Sequence, residues 1–172
     1  MPSETTGIER ILALRRQADA EAHAPDEAMC KLVIFELDGE RFAFRAEQVR
    51  EILPLRPVFF VPGCPPWLEG VINVRGDIES VINLYALLGK GAPDSDAPGS
   101  ILLGRAAAMD SGVRVGRVLD VLDVPAGDIA APPAALPEPL ARGVAGVLAH
   151  HGDAVLLLDL EPMFADYARA LA

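Results

Sequence analysis

GVINVRGDIESVINLYALL, residues 70–88, and GVLAHHGDAVLLLDLEPMF, residues 146–164, align without a gap at an offset of 76 positions. Gly70-Val71-Ile72 meets Gly146-Val147-Leu148, Gly76-Asp77 meets Gly152-Asp153, and Ile82-Asn83-Leu84 meets Leu158-Asp159-Leu160. Leu87-Leu88 meets Met163-Phe164. Each copy reads as a strand, a Gly-Asp turn, a second strand and a helix start. Asn83 and Asp159 fall where a side-chain oxygen can cap the first free amides of that helix. A weaker echo joins Val49-Arg50-Glu51-Ile52 to Val118-Leu119-Asp120-Val121, so the preceding strands belong to the repeat as well. Short strands punctuated by turns suit a small barrel in each half, and the chain reads as an all-β protein of two similar barrels fused, with short terminal helices.

Upstream, LVIFELDGERFAFR (residues 32–45) is two strands around Asp38-Gly39, a strong hairpin signal, with Phe35, Leu37, Phe42 and Phe44 able to share a buried face. AEQVREILPL then breaks the alternation with a turn and resumes as Val49, Ile52 and Leu53 before Pro54 ends the ladder. Pro57, Pro62, Pro65 and Pro66 mark a loop, with Trp67 expected to cap the first barrel from it. Gly89 to Gly99 is rich in breakers and reads as the crossover between the half-domains.

The first thirty residues differ. Thr6 and Glu9 have capping-box spacing, and Ile8, Ile11, Leu12, Arg15 and Ala18 follow with helical period, so a short amphipathic helix is expected, tied to the body by a linker from Ala20 to Met29. The expected domains are this segment at 1–30 and a body at 31–172. Within the body the first barrel is placed at about 31–90, the second at about 100–158 and a C-terminal helix at about 160–171.

With 172 residues, half of them apolar, the chain is long enough to bury a core without disulfides. Cys30 and Cys64 have neither a near partner nor metal-ligand spacing, which suits a reducing cytosol. The N-terminus lacks the pattern of a signal peptide, and no run of 18 apolar residues occurs. A net charge of −10 argues against binding a phosphate backbone.

Arg75-Gly76-Asp77 spells an adhesion tag, but its counterpart in the second copy makes Gly76-Asp77 a hairpin turn, and nothing marks the chain as secreted. Arg75 faces His151 in the alignment, so the turn does not demand an arginine. Its guanidinium must snorkel, meet a carboxylate or serve a partner. His150-His151 is the one clustered imidazole pair, and neighbours on a strand point to opposite faces, which speaks against a shared metal ion. Asp120, Asp123 and Asp128 read as solvated, Cys64 as a loop thiol, and no Gly-rich stretch leads into a phosphate-binding Lys-Ser or Lys-Thr. No cofactor, catalytic or metal residues are assigned.

The ordered set FELDGERFAFRAEQVREIL, VP, LEGVINVRGDIESVINL, VGRVLDVLDV and VAGVLAHHGDAVLLLDLEPMF resembles the CheW-type chemotaxis coupling (adaptor) family over about Lys31 to Phe164. The resemblance implies two five-stranded SH3-like barrels and a non-catalytic, cytoplasmic adaptor recruited to membrane-associated receptor arrays, without membrane insertion of its own. Its implied partners are the regulatory domain of a CheA-type histidine kinase and the cytoplasmic tips of methyl-accepting chemoreceptors. Val49 and Glu51 of V-x-E-I, Gly70 and Arg75 of G-V-x-N-x-R-G, and Ile101 and Leu102 of the strand opening the second half fall on family positions linked to coupling. Val49, Ile52, Ile101 and Leu102 are the expected aliphatic anchors, with Glu51 and Arg75 as rim charges. Asp77, Ile78, Glu79 and Ser80 depart from the apolar, proline-containing stretch usual there. That leaves room for a specialised system controlling pili, gliding or a diguanylate cyclase. The rival reading from another class is a small β-barrel enzyme or ligand-binding protein.

Overall fold

The computed structural model describes residues 27–91, 93 and 96–172. The expected N-terminal helix and most of the expected linker lie outside them. The described strands are β1 Met29–Leu37, β2 Glu40–Arg45, β3 Val49–Pro54, β4 Leu68–Val74, β5 Asp77–Asn83, β6 Ser100–Arg105, β7 Asp110–Val115, β8 Val118–Pro125, β9 Val144–His150 and β10 Asp153–Leu158. Among the described residues three α-helices accompany them: α1 Leu84–Leu87, α2 Leu140–Gly143 and α3 Leu160–Leu171.

Three hairpins share one turn. Asp38-Gly39, Arg75-Gly76 and His151-Gly152 each place two successive residues at positive φ, the type I′ signature whose twist matches that of the flanking strands. Val74 pairs with Asp77 and His150 with Asp153, so the two repeat turns begin one residue earlier than the sequence suggested, and each aspartate opens the next strand.

The strands form two five-stranded sheets, ordered β3-β6-β7-β5-β4 and β8-β1-β2-β10-β9. Each is closed by a bridge from the chain that follows its first-named strand. Phe59 and Val71 exchange backbone hydrogen bonds of 2.8 and 2.9 Å, and Ala130 and Val147 exchange bonds of 2.8 and 3.0 Å. Gly70 permits the first closure, because a Cβ there would lie 2.2 Å from the Phe59 carbonyl oxygen. The result is two small SH3-like barrels.

Their composition corrects the expected division at 31–90 and 100–158. β3 to β7, residues 49–115, make one barrel, and this segment is inserted into the other, which combines β1 and β2 with β8 to β10. The reason lies in the connections. Neither the 3-10 turn Ala46–Gln48 nor Gly116-Arg117 has the positive-φ pair that reverses a tight hairpin, so each passes the chain to the other sheet. At Gly116 the strands cross closely, a Cβ there falling 2.0 Å from the Glu36 carbonyl oxygen, while the Glu36 amide donates to the Arg117 carbonyl at 2.9 Å. The stretch Gly89 to Gly99, expected to be the crossover, joins α1 to β6 on the same barrel.

This arrangement explains the unbroken apolar run Leu32-Val33-Ile34-Phe35 in β1. Leu32 and Ile34 fill the interior of their own barrel with Ala43, Leu148, Val155 and Leu157, whereas Val33 and Phe35 face a larger core between the barrels. A strand covered on both faces has no polar side to alternate with. The core between the barrels gathers Phe35, Phe42 and Phe44 with Leu102, Val113 and Val115 of the inserted barrel, and with Leu160, Met163 and Phe164 of α3.

Both expected helix caps form. Asn83 Oδ1 accepts from the Tyr85 amide at 3.0 Å, and Asp159 Oδ1 accepts from the Glu161 amide at 2.9 Å. Gln48 at the sheet crossing donates to Asp159 Oδ1 at 2.7 Å and accepts from the Leu160 amide at 3.3 Å, fastening the start of α3 to the junction of the barrels.

Candidate partner-binding surface

The β4–β5 turn holds Arg75 over the first residues of β3. Its guanidinium grips Glu51 through two parallel bonds, Nη1 to Oε2 at 2.9 Å and Nη2 to Oε1. Around this fork, Arg50 pairs with Glu79 at 3.0 Å and with Asp110 at 3.6 Å, and Arg105 reaches Asp110 at 3.5 Å. Two aliphatic side chains on the same strands stay in water, Ile52 at 40% and Ile78 at 67% exposed. The barrel end is therefore a lattice of opposite charges with isoleucines among them.

Arg75 sits at φ 53°, a left-handed conformation that disfavours an L-residue with a long side chain. Its side chain is 73% exposed, so solvent screens the pair it makes there. The turn alone does not call for an arginine. Arg75→Asn, which suits a type I′ turn better, is expected to raise the unfolding midpoint slightly while removing the fork. A lower midpoint in a thermal melt would show instead that the arginine supports the fold.

Hydrogen bonding to Arg75 holds the Glu51 carboxyl below its ordinary value of 4.5. A depressed carboxyl pKa makes the pair complete above that value, and the pair is lost as pH falls through the lower, folded one. Carboxyl-detected NMR titration should give Glu51 a midpoint under 4.5 that returns to the ordinary value in Arg75→Asn.

The other residues expected to bind partners divide. Val49 is half-buried and packs on the core between the barrels. Gly70 is buried and serves barrel closure. Ile101 and Leu102 are 0% and 1% exposed, so neither can anchor a partner. β6 lies between β3 and β7, with Ile101 turned into its own barrel and Leu102 into the core between the barrels.

A groove does exist nearby. Pro66, Trp67, Leu87, Leu88, Met163 and Tyr167 are among the residues lining an opening of about 420 Å³ beside α3. Trp67 packs on Tyr167 with ring centroids 4.6 Å apart and ring planes tilted by 32°, so it clamps α3 from the proline loop. Burial pushes the Tyr167 phenol well above its ordinary range. Met163, Tyr167 and Ala170 lie on one helical face, a period visible in the sequence but not assigned to a surface. Phe59 and Phe60 are exposed, an aromatic pair in the proline loop to which the sequence alone assigns no role. Among the described residues, no helix is long and apolar enough to cross a membrane.

The paired closed barrels thus present a charged, isoleucine-bearing end and an apolar groove. The chain belongs to the CheW-like domain family, whose profile matches residues 31–168. A probable chemotaxis protein CheW of Rhizobium etli is 31% identical over 137 residues, covering 79% of this chain and 88% of that protein. Chemotaxis protein CheW of Rhizobium meliloti is 28% identical over 142 residues, covering 83% and 92%. The crystal structure of the scaffolding protein TtCheW from Thermoanaerobacter tengcongensis superposes with a TM-score of 0.70 at 24% identity, covering 78% of this chain and 91% of that one.

Proposed function

We propose that the chain is a non-catalytic adaptor that couples the cytoplasmic tips of chemoreceptors to a CheA-type histidine kinase. The observation that carries this reading is Arg75, kept at a strained turn for an exposed fork to Glu51 beside Ile52 and Ile78. Closed barrels offer few free strand edges, so a partner has to dock by side chains. Isoleucine anchors within a charged rim suit a folded kinase domain, and the groove at Trp67 and Tyr167 offers an apolar lining to one face of a receptor helix. Each contact is modest, and an array strengthens them by multivalency.

Arg75→Glu sets a carboxylate against Glu51 and is expected to leave the melt nearly unchanged. It should weaken binding to a kinase regulatory domain by about tenfold or more, on the scale of a truncated interface charge. Size-exclusion chromatography and calorimetry with that domain, and separately with a receptor tip, test the reading. Undiminished binding of both by Arg75→Glu removes this surface from the interface. A ligand-dependent melting shift without co-elution of either partner points to the rival binding-protein reading.

A further inference from the structure

The two barrels are related by the repeat, and the same place in each answers to different chemistry. Glu51 on β3 aligns with Asp120 on β8, and Arg75 in the β4–β5 turn aligns with His151 in the β9–β10 turn. In the inserted barrel the carboxylate is met by a guanidinium. In the other barrel Asp120 meets two imidazoles instead. Asp120 Oδ2 lies 3.2 Å from His150 Nε2, and one ligand atom from each of Asp120, His150 and His151 falls within 4.8 Å of the others. The expectation that adjacent histidines diverge fails because His151 leaves the strand at φ 50°, which brings its ring centroid to 4.1 Å from that of His150.

We propose that Asp120, His150 and His151 form a site for a divalent transition-metal ion of the zinc class, which supplies here the positive charge that Arg75 supplies in the other barrel. Two imidazoles and one carboxylate are a donor set that zinc accepts, leaving a fourth position for water or a partner side chain. The 3.2 Å between Asp120 and His150 is close to the roughly 3.3 Å edge of a tetrahedron with bonds of about 2.0–2.1 Å. His151 closes the remaining gap by rotation of an exposed side chain.

The surroundings orient the ligands. Asp120 Oδ1 accepts from the Val121 amide at 2.9 Å, which leaves Oδ2 directed at His150. The His150 side chain, only 9% exposed, is held at the barrel mouth. Arg41 is the nearby cation, and Asp153 neutralises it at 2.9 Å. It also donates to the His150 carbonyl at 3.1 Å and lies 3.5 Å from Nδ1. Metal at Nε2 transfers the ring proton to Nδ1, so Arg41 gives up that long contact and keeps the other two. The ion would tie β8 to the β9–β10 hairpin, which meets the chain after β8 through the Ala130–Val147 bridge.

Calorimetric titration of the full chain with zinc chloride tests this, with cobalt chloride as a visible-absorption probe of tetrahedral geometry. One ion per chain, a metal-dependent rise in melting temperature and a cobalt ligand-field band are expected. His151→Asn suits the left-handed turn and Asp120→Asn keeps the shape of the side chain. Each should weaken binding by about tenfold or more while leaving the metal-free melt near that of the unaltered chain. Absence of saturable binding overturns the proposal, as does binding that neither variant changes, which would place the ion elsewhere on the chain.

Discussion

Phe35→Ala is expected to cost about 3–5 kcal/mol, a large share of the roughly 5–15 kcal/mol that holds a typical domain together. Phe35 is fully buried, with ring centroids 5.1 Å from Phe44 and 6.2 Å from Phe42. These rings lie between the barrels, in contact with a core drawn from both and from α3. The loss should therefore lower one transition common to the whole body. Denaturant unfolding followed by circular dichroism and by the fluorescence of Trp67, which packs on the same core, should give coincident curves at a lower midpoint. Two separated transitions would mean that the barrels are energetically independent.

Gly116→Ala should rival that loss although it adds a single methyl group. The new carbon would stand 2.0 Å from the Glu36 carbonyl oxygen, and backbone cannot swing aside as a long side chain can. The two strands must part, straining the 2.9 Å bond from the Glu36 amide to the Arg117 carbonyl. A cost above about 2 kcal/mol is expected. Gly127→Ala is the control, since its Cβ would meet only a Glu27 carboxylate oxygen at 3.4 Å, and it should stay within about 0.5 kcal/mol of the unaltered chain. Equal midpoints for the two variants in urea would show that the crossing is looser than the structure makes it.

Local chemistry was legible in the sequence. Asp38-Gly39 announces its hairpin, and Asn83 and Asp159 announce helix starts, because each signal is complete within a few neighbouring residues. Sheet membership was not. β1 pairs with β8 and β2 with β10, partners far along the chain, and the turns at Ala46–Gln48 and Gly116-Arg117 look like any bend. Ile101 and Leu102 came from the resemblance alone, and β6 is covered on both faces, so its apolar run carries no sign of which side meets water. At the charged barrel end, Glu51 and Arg75 were found individually, but nothing in their spacing says that they join. Ile78 stands out in the sequence only as a departure from the family pattern, and its exposure follows from its place near the hairpin tip.

The insertion of residues 49–115 into the other barrel bears on how the chain is made. The hairpin of β1 and β2 leaves the ribosome early, with Leu32 to Phe35 apolar on both sides, yet the strands that flank it, β8 and β10, are translated only after the whole inserted barrel. During synthesis this hairpin waits without neighbours, a window in which it is open to chaperones or to misassociation. The inserted segment, in contrast, has all five of its strands in hand as soon as β7 emerges.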